Sequence, residues 1–250
     1  MIDVSNLTEE AKPIVKQAAE VYIKHTEKDF IGLIVHGSAM KGGFISGSSD
    51  IDFQLYLKES AFDENGMLPL ELSLAIHRDL AKINPYPFSY IQCRALSSKL
   101  PDGYVGPIPG AYHLVAGRLP VNEATNEQLK QSAINALRNL TPVPKYLNNL
   151  LDHGKERLSR MIRLLCTQVS PVVYQVLSIE QEDAVKVWQM PKNEAIKLLP
   201  DEEMKAYAER FYEHAKRYYS NETSIEDALK LIENGVAFFK SVQLWYKRAD

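Results

Sequence analysis

Asp50 and Asp52, one residue apart, are the side chains in this sequence best placed to do chemistry. If the segment that carries them is extended, alternate side chains share a face, so both carboxylates project to one side, close enough to share one divalent cation or to bridge two. Carboxylate oxygens suit magnesium, which keeps waters or substrate phosphates in the rest of its shell, and the pair therefore points to a nucleoside triphosphate. The surrounding stretch, HGSAMKGGFISGSSDIDFQLYL at residues 36–57, has parts a phosphate could use. Gly37 lets the backbone approach closely, and Ser38 can cap a following helix and offer its hydroxyl beside the first-turn amides. Ser49 adds a second hydroxyl next to Asp50, either as a phosphate contact or simply as the end of the loop.

Holding such groups takes a strand, a loop and a second strand, and the sequence pattern predicts them. Phe30–His36 is a short apolar run and Ile51–Leu57 alternates as a half-buried strand does; Gly37, Gly42, Gly43 and Gly47 lie between them. A helix is predicted over residues 13–28, where Ile14, Ala18, Val21 and Tyr22 fall at helical spacing. A second is predicted over 70–83, stopped at Asn84 and Pro85. Residues 88–96 and 112–116 read as further strands, and the proline- and glycine-rich 101–110 as an irregular crossing loop. From residue 126 onward long amphipathic stretches predict a wholly helical second half, broken at Thr141 to Pro144, Ser170-Pro171, Met190-Pro191 and Leu199-Pro200.

With these residues in view, Gly37-Ser38, the glycine-rich loop and Ser49-Asp50-Ile51-Asp52 resemble the nucleotidyltransferase signature of the DNA-polymerase-β superfamily, and most of all the antibiotic (aminoglycoside) nucleotidyltransferases. Residues 158–171 and 182–190 are similar, more faintly, to stretches of that family's second domain. The resemblance implies an α+β fold: a polymerase-β-like domain over 1–120, a mixed sheet with flanking helices, followed by an all-α helical bundle over 121–250 that binds the acceptor. It implies that Gly37, Ser38 and Ser49 bind the nucleotide's phosphates and that Asp50 and Asp52 bind magnesium and are catalytic. The implied activity is magnesium-dependent transfer of a nucleoside monophosphate, AMP from ATP, to a hydroxyl of a small aminoglycoside-like acceptor, with release of pyrophosphate.

The sequence departs from the family in one respect. Members add a third carboxylate from a later strand, often the base that deprotonates the acceptor, and residues 88–96 contain no Asp or Glu; Gln92 stands at that position. An amide oxygen can coordinate or accept a hydrogen bond but cannot take a proton at neutral pH. Glu123, Glu180, Glu182 and Asp183 are candidate replacements, each with a plain solvated role as its simpler reading. The same departure supports a second reading, a catalytically weak or silent nucleotide-binding regulatory protein of the same fold. Arg157, Arg160 and Arg163 with Lys155 read as a solvated basic face, Trp188 and Tyr207, Tyr212, Tyr218 and Tyr219 as core, and His36 as a strand-end histidine.

Composition bounds the rest. A net charge of −3 lacks the basic excess of a nucleic-acid footprint, so a small-molecule partner is expected rather than a nucleic acid. Cys93 and Cys166 are the only cysteines and the six histidines never fall at metal-ligand spacing, which argues against a disulfide framework or a structural zinc site. The longest apolar run, residues 30–35, is too short to cross a bilayer, and a cytoplasmic protein without a membrane partner is expected. The identity of the acceptor and the oligomeric state are not written in the sequence.

Overall fold

The computed structural model describes residues 1–97, 99–100, 103–220 and 224–249. It divides into two compact units, Met1–Ala124 and Thr125–Asp250.

The first unit is built on four strands, β1 (Phe30–His36), β2 (Ile51–Leu57), β3 (Ile91–Leu96) and β4 (Tyr112–Gly117), in the order β3-β2-β1-β4. β1 runs antiparallel to both β2 and β4, whereas β2 and β3 are parallel. Parallel neighbours need a crossover, and the helix α3 (Leu70–Leu80) lies in it. Together with α1 (Lys12–Thr26), α3 supplies the apolar cover for one sheet face. Ile14, Val15, Ala18, Tyr22 and Ile76 pack there with Leu33, Val35, Ile51, Phe53, Leu55 and Leu57. Because strand side chains alternate, burial of Ile51, Phe53 and Leu55 turns Asp52, Gln54 and Tyr56 to the opposite face. The chain start is tied down: Asp3 N donates to Val115 O (2.8 Å) and Thr8 N to Ala39 O (2.9 Å).

α3 and β3 are shorter than their patterns predict, for one local reason. Residues 81–90 form turns: Ile83 N donates to Leu80 O, Phe88 N to Pro85 O, and Ser89 N to Ser49 O. Apolar Phe88 lies outside the ladder and is buried in the core beside Phe44.

The second unit contains helices and turns among its described residues. α4 (Asn126–Arg138) opens on a capping box in which Thr125 Oγ1 accepts from Gln128 N and Gln128 Oε1 accepts from Thr125 N; such a cap contributes about 1 kcal/mol. A 3-10 segment (Lys145–Leu151) leads to α5 (Lys155–Glu180), then α6 (Ala184–Gln189), α7 (Lys192–Lys197), α8 (Glu202–Ser220) and α9 (Ile225–Ala249). The breaks after Thr141, Met190 and Leu199 occur where proline predicts them, but Ser170-Pro171 does not break the chain: Pro171 lies inside α5. An internal proline costs about 3 kcal/mol. Val169, Val172, Val173, Val176 and Leu177 are buried around it, and their burial outweighs that cost.

α5 is also long and apolar enough to cross a membrane, although charged and polar residues interrupt its apolar run; half of its most apolar stretch is buried inside this structure.

Candidate active site

The cross-strand register assembles the site. Asp52 pairs with His36 on β1 and with Gln92 on β3, and His36 pairs in turn with Tyr112 on β4. Paired residues share a face, so Gln92, Asp52, His36 and Tyr112 form one row on the side away from α1 and α3. Asp50 precedes β2 by one residue, at the parity of Asp52. Gly37 meets this row where β1 ends. Its φ of +78° is a conformation that favours glycine, and a Cβ there would stand 3.1 Å from Asp52 Oδ2.

Gly37, not Ser38, occupies the cap of the short helix α2 (Ser38–Lys41). The Gly37 carbonyl accepts from Met40 N (3.3 Å) and Lys41 N (3.0 Å), and Ser38 is the first helical residue, with no side-chain capping bond. The reversal follows from the backbone: the chain must turn through positive φ directly after β1, and that places the cap on the glycine. Ser49 is woven into the loop. Its Oγ accepts from Ile45 N (2.9 Å) and its carbonyl from Ser89 N (2.7 Å), which leaves the hydroxyl hydrogen to donate.

Electrostatics mark the row. Burial, and then the neighbouring Asp50 carboxylate, push Asp52 up to about 7. Burial and Lys41 push His36 down to about 4, with Asp50 working against them. His36 is therefore neutral near pH 7, and its surroundings fix how it is held. Gln54 Oε1 accepts from the hydroxyls of Tyr56 (2.8 Å) and Tyr104 (3.2 Å). That orients the amide so that Nε2 faces His36 Nε2 at 3.4 Å, with the imidazole as acceptor and its proton on Nδ1. This polar layer of Gln54, Tyr56 and Tyr104 was not predicted from the sequence. The available signal was that Gln54 and Tyr56 share the parity of Asp52.

Gln92 is exposed, and its Oε1 accepts from Tyr90 Oη at 3.0 Å. No carboxylate joins the two aspartates from β3, and among the described residues no group of three or more His, Cys, Asp or Glu is placed to hold a metal. Of the alternative acids, Asp183 caps α6 by accepting from Lys186 N (3.1 Å), and Glu180 and Glu182 are exposed in the second unit. Glu123 accepts from Tyr112 Oη at 2.8 Å, at the β4 end of the row. Arg157 and Arg160 are exposed, whereas Trp188 stacks on Tyr174 and donates to Ser178 Oγ (3.0 Å), as a packed residue does.

No family model matches the chain, and no curated protein matches it in sequence. Among solved structures it is similar to spectinomycin adenyltransferase AAD(9) from Enterococcus faecialis, whose crystal structure contains ATP and spectinomycin. The likeness covers 91% of this chain and 98% of that one, with a TM-score of 0.52 and 11% identity. At that identity the likeness is one of fold: over nearly its whole length, this chain folds like an adenyltransferase.

Proposed function

We propose that the chain is a nucleotidyltransferase of the polymerase-β superfamily that transfers AMP from ATP to a hydroxyl of a small aminoglycoside-like molecule and releases pyrophosphate. The observation that carries this reading is the Asp50–Asp52 pair, two carboxylates at the start of β2, with Asp52 against the bare backbone of Gly37. The residues fit magnesium. They offer hard oxygen donors, the proton affinity of Asp52 is raised first by burial and then by the Asp50 carboxylate, both of which a divalent cation would offset, and a cation held by only two carboxylates keeps positions for waters and phosphate oxygens. When bound, magnesium supplies charge neutralisation to the triphosphate.

The protein's own groups do the rest. Gly37 lets a phosphate approach the end of β1, and Ser38 and Ser49 donate hydroxyl hydrogens to phosphate oxygens. Asp50 and Asp52 would hold the magnesium that offsets the charge of the phosphates, leaving the α-phosphorus open to in-line attack. The acceptor oxygen forms a bond to the α-phosphorus while the bond to the bridging oxygen breaks, and that electron pair leaves with pyrophosphate. The helices from α4 onward select the acceptor. Likeness of fold to an enzyme solved with ATP and spectinomycin supports the choice of nucleotide and acceptor class.

One observation favours a second reading, a silent nucleotide-binding regulator: the residue in register with Asp52 on β3 is an amide, Gln92. Calorimetric titration of ATP with and without magnesium, on the wild type and on Asp50→Asn/Asp52→Asn, tests the common element. Magnesium-dependent binding that the double variant loses is expected; binding unchanged in the variant would remove the site. Binding without any covalent nucleotidyl product would favour the regulator.

A further inference from the structure

Transfer to a hydroxyl needs a group that takes the hydroxyl's proton, and β3 offers only the Gln92 amide beside Asp52. We propose that Glu123 is that base and that Tyr112 holds it in position. The inference rests on the nucleotidyl-transfer reading of the Asp50–Asp52 site.

Register places Glu123's partner on the correct face. Asp52 and Tyr112 both pair with His36, from opposite sides of β1, so their side chains leave the sheet together, about 10 Å apart at two strand spacings. Tyr112 packs over that face against the cluster of Ile34, Tyr56 and Leu96, and lies near enough to Tyr56 to help raise that phenol's proton affinity. Tyr112 Oη then donates to Glu123 Oε1 at 2.8 Å. Burial, with Glu123 beside it, pushes the phenol up to about 12, so Tyr112 remains a donor across the neutral range.

The backbone that carries Glu123 is fixed on both sides. A Cβ on Gly106 would stand 1.9 Å from Asn122 O, an approach that only glycine permits, and Ala124 is buried with its amide donating to Pro107 O at 2.9 Å. The Glu123 side chain itself is exposed, so Oε2 is open to an incoming hydroxyl. One oxygen anchored and one open, on the face of the metal-binding pair, suits a general base. The acceptor's O–H bond breaks toward Glu123, its oxygen pair attacks the α-phosphorus, and pyrophosphate leaves with the pair of the broken bond. Glu123 ends protonated and returns its proton to solvent.

The test follows transfer of label from α-labelled ATP with magnesium to a panel of spectinomycin and aminoglycosides. Glu123→Gln keeps the shape and can still accept from Tyr112, but cannot take a proton. Its kcat is expected to fall about 10²–10⁴-fold, with the KM for ATP within about twofold of wild type. Glu123→Ala should be partly restored by added formate, which a merely structural carboxylate would not allow, and Tyr112→Phe should lose less than Glu123→Gln. Wild-type turnover in Glu123→Gln, with Asp52→Asn inactive, would overturn the role of Glu123 and leave the aspartate site standing. A wild type that labels nothing in the panel would overturn both.

Discussion

Asp52 and His36 face each other across β1 and β2 with proton affinities displaced in opposite senses, so their contributions to stability depend on pH in opposite directions. His36 is depressed from 6.5 to about 4, so the unfolded imidazole takes a proton that the folded one refuses, and stability falls as pH drops through that window. Asp52 is raised from 3.8 to about 7; its contribution is complete below 3.8 and is lost as pH rises toward 7. The two slopes oppose each other, each on the order of a few kcal/mol at full extent. In magnesium-free buffer the wild type should therefore show a shallow dependence between pH 4 and 6.5, whereas Asp52→Asn should become markedly acid-labile there. Urea unfolding at several pH values measures this, and parallel profiles for the two proteins would contradict it. How much of this row the sequence could reveal depended on chain distance. The common face of Asp50 and Asp52 follows from a period of two, and the glycine after β1 from the need to turn. The tyrosine layer was hidden because Tyr104 comes from the irregular stretch after β3 and meets Gln54 only in three dimensions.

Among the elements, β1 and β2 were readable to the residue because apolar content and alternation agreed with the turn signals around them. α5 shows where a local rule fails. Pro171 predicts a break, but the valines on either side are buried, and tertiary burial outweighs a lost backbone bond. α9 carries a comparable constraint at Gly235, where a Cβ would come within 2.9 Å of Leu165 Cδ2 and 3.1 Å of Phe211 Cε2. Those are side-chain atoms that can yield slightly, and alanine favours a helix over glycine by about 1 kcal/mol. Gly235→Ala is therefore expected to be close to neutral and Gly235→Leu to destabilise by about 1–3 kcal/mol. Thermal or urea unfolding distinguishes them; equal stability of the two variants would mean that α9 does not pack this tightly on α5 and α8.

For the whole molecule, each compact unit has a core of its own, and similarity to an adenyltransferase fold extends through 91% of the chain. The proposed chemistry was legible in one segment, residues 37–52, because that is where residue type, spacing and backbone geometry constrain one another. The helical half, by contrast, is patterned chiefly for burial and carries no short motif to read. In the proposed function the Asp50–Asp52 pair drives nucleotidyl transfer. The most direct measurement is label transfer from α-labelled ATP and magnesium to the spectinomycin and aminoglycoside panel, comparing the wild type with Asp50→Asn/Asp52→Asn. The expected result is a covalent nucleotidyl product with stoichiometric pyrophosphate from the wild type and none from the double variant. Turnover that is undiminished in the double variant would contradict the claim.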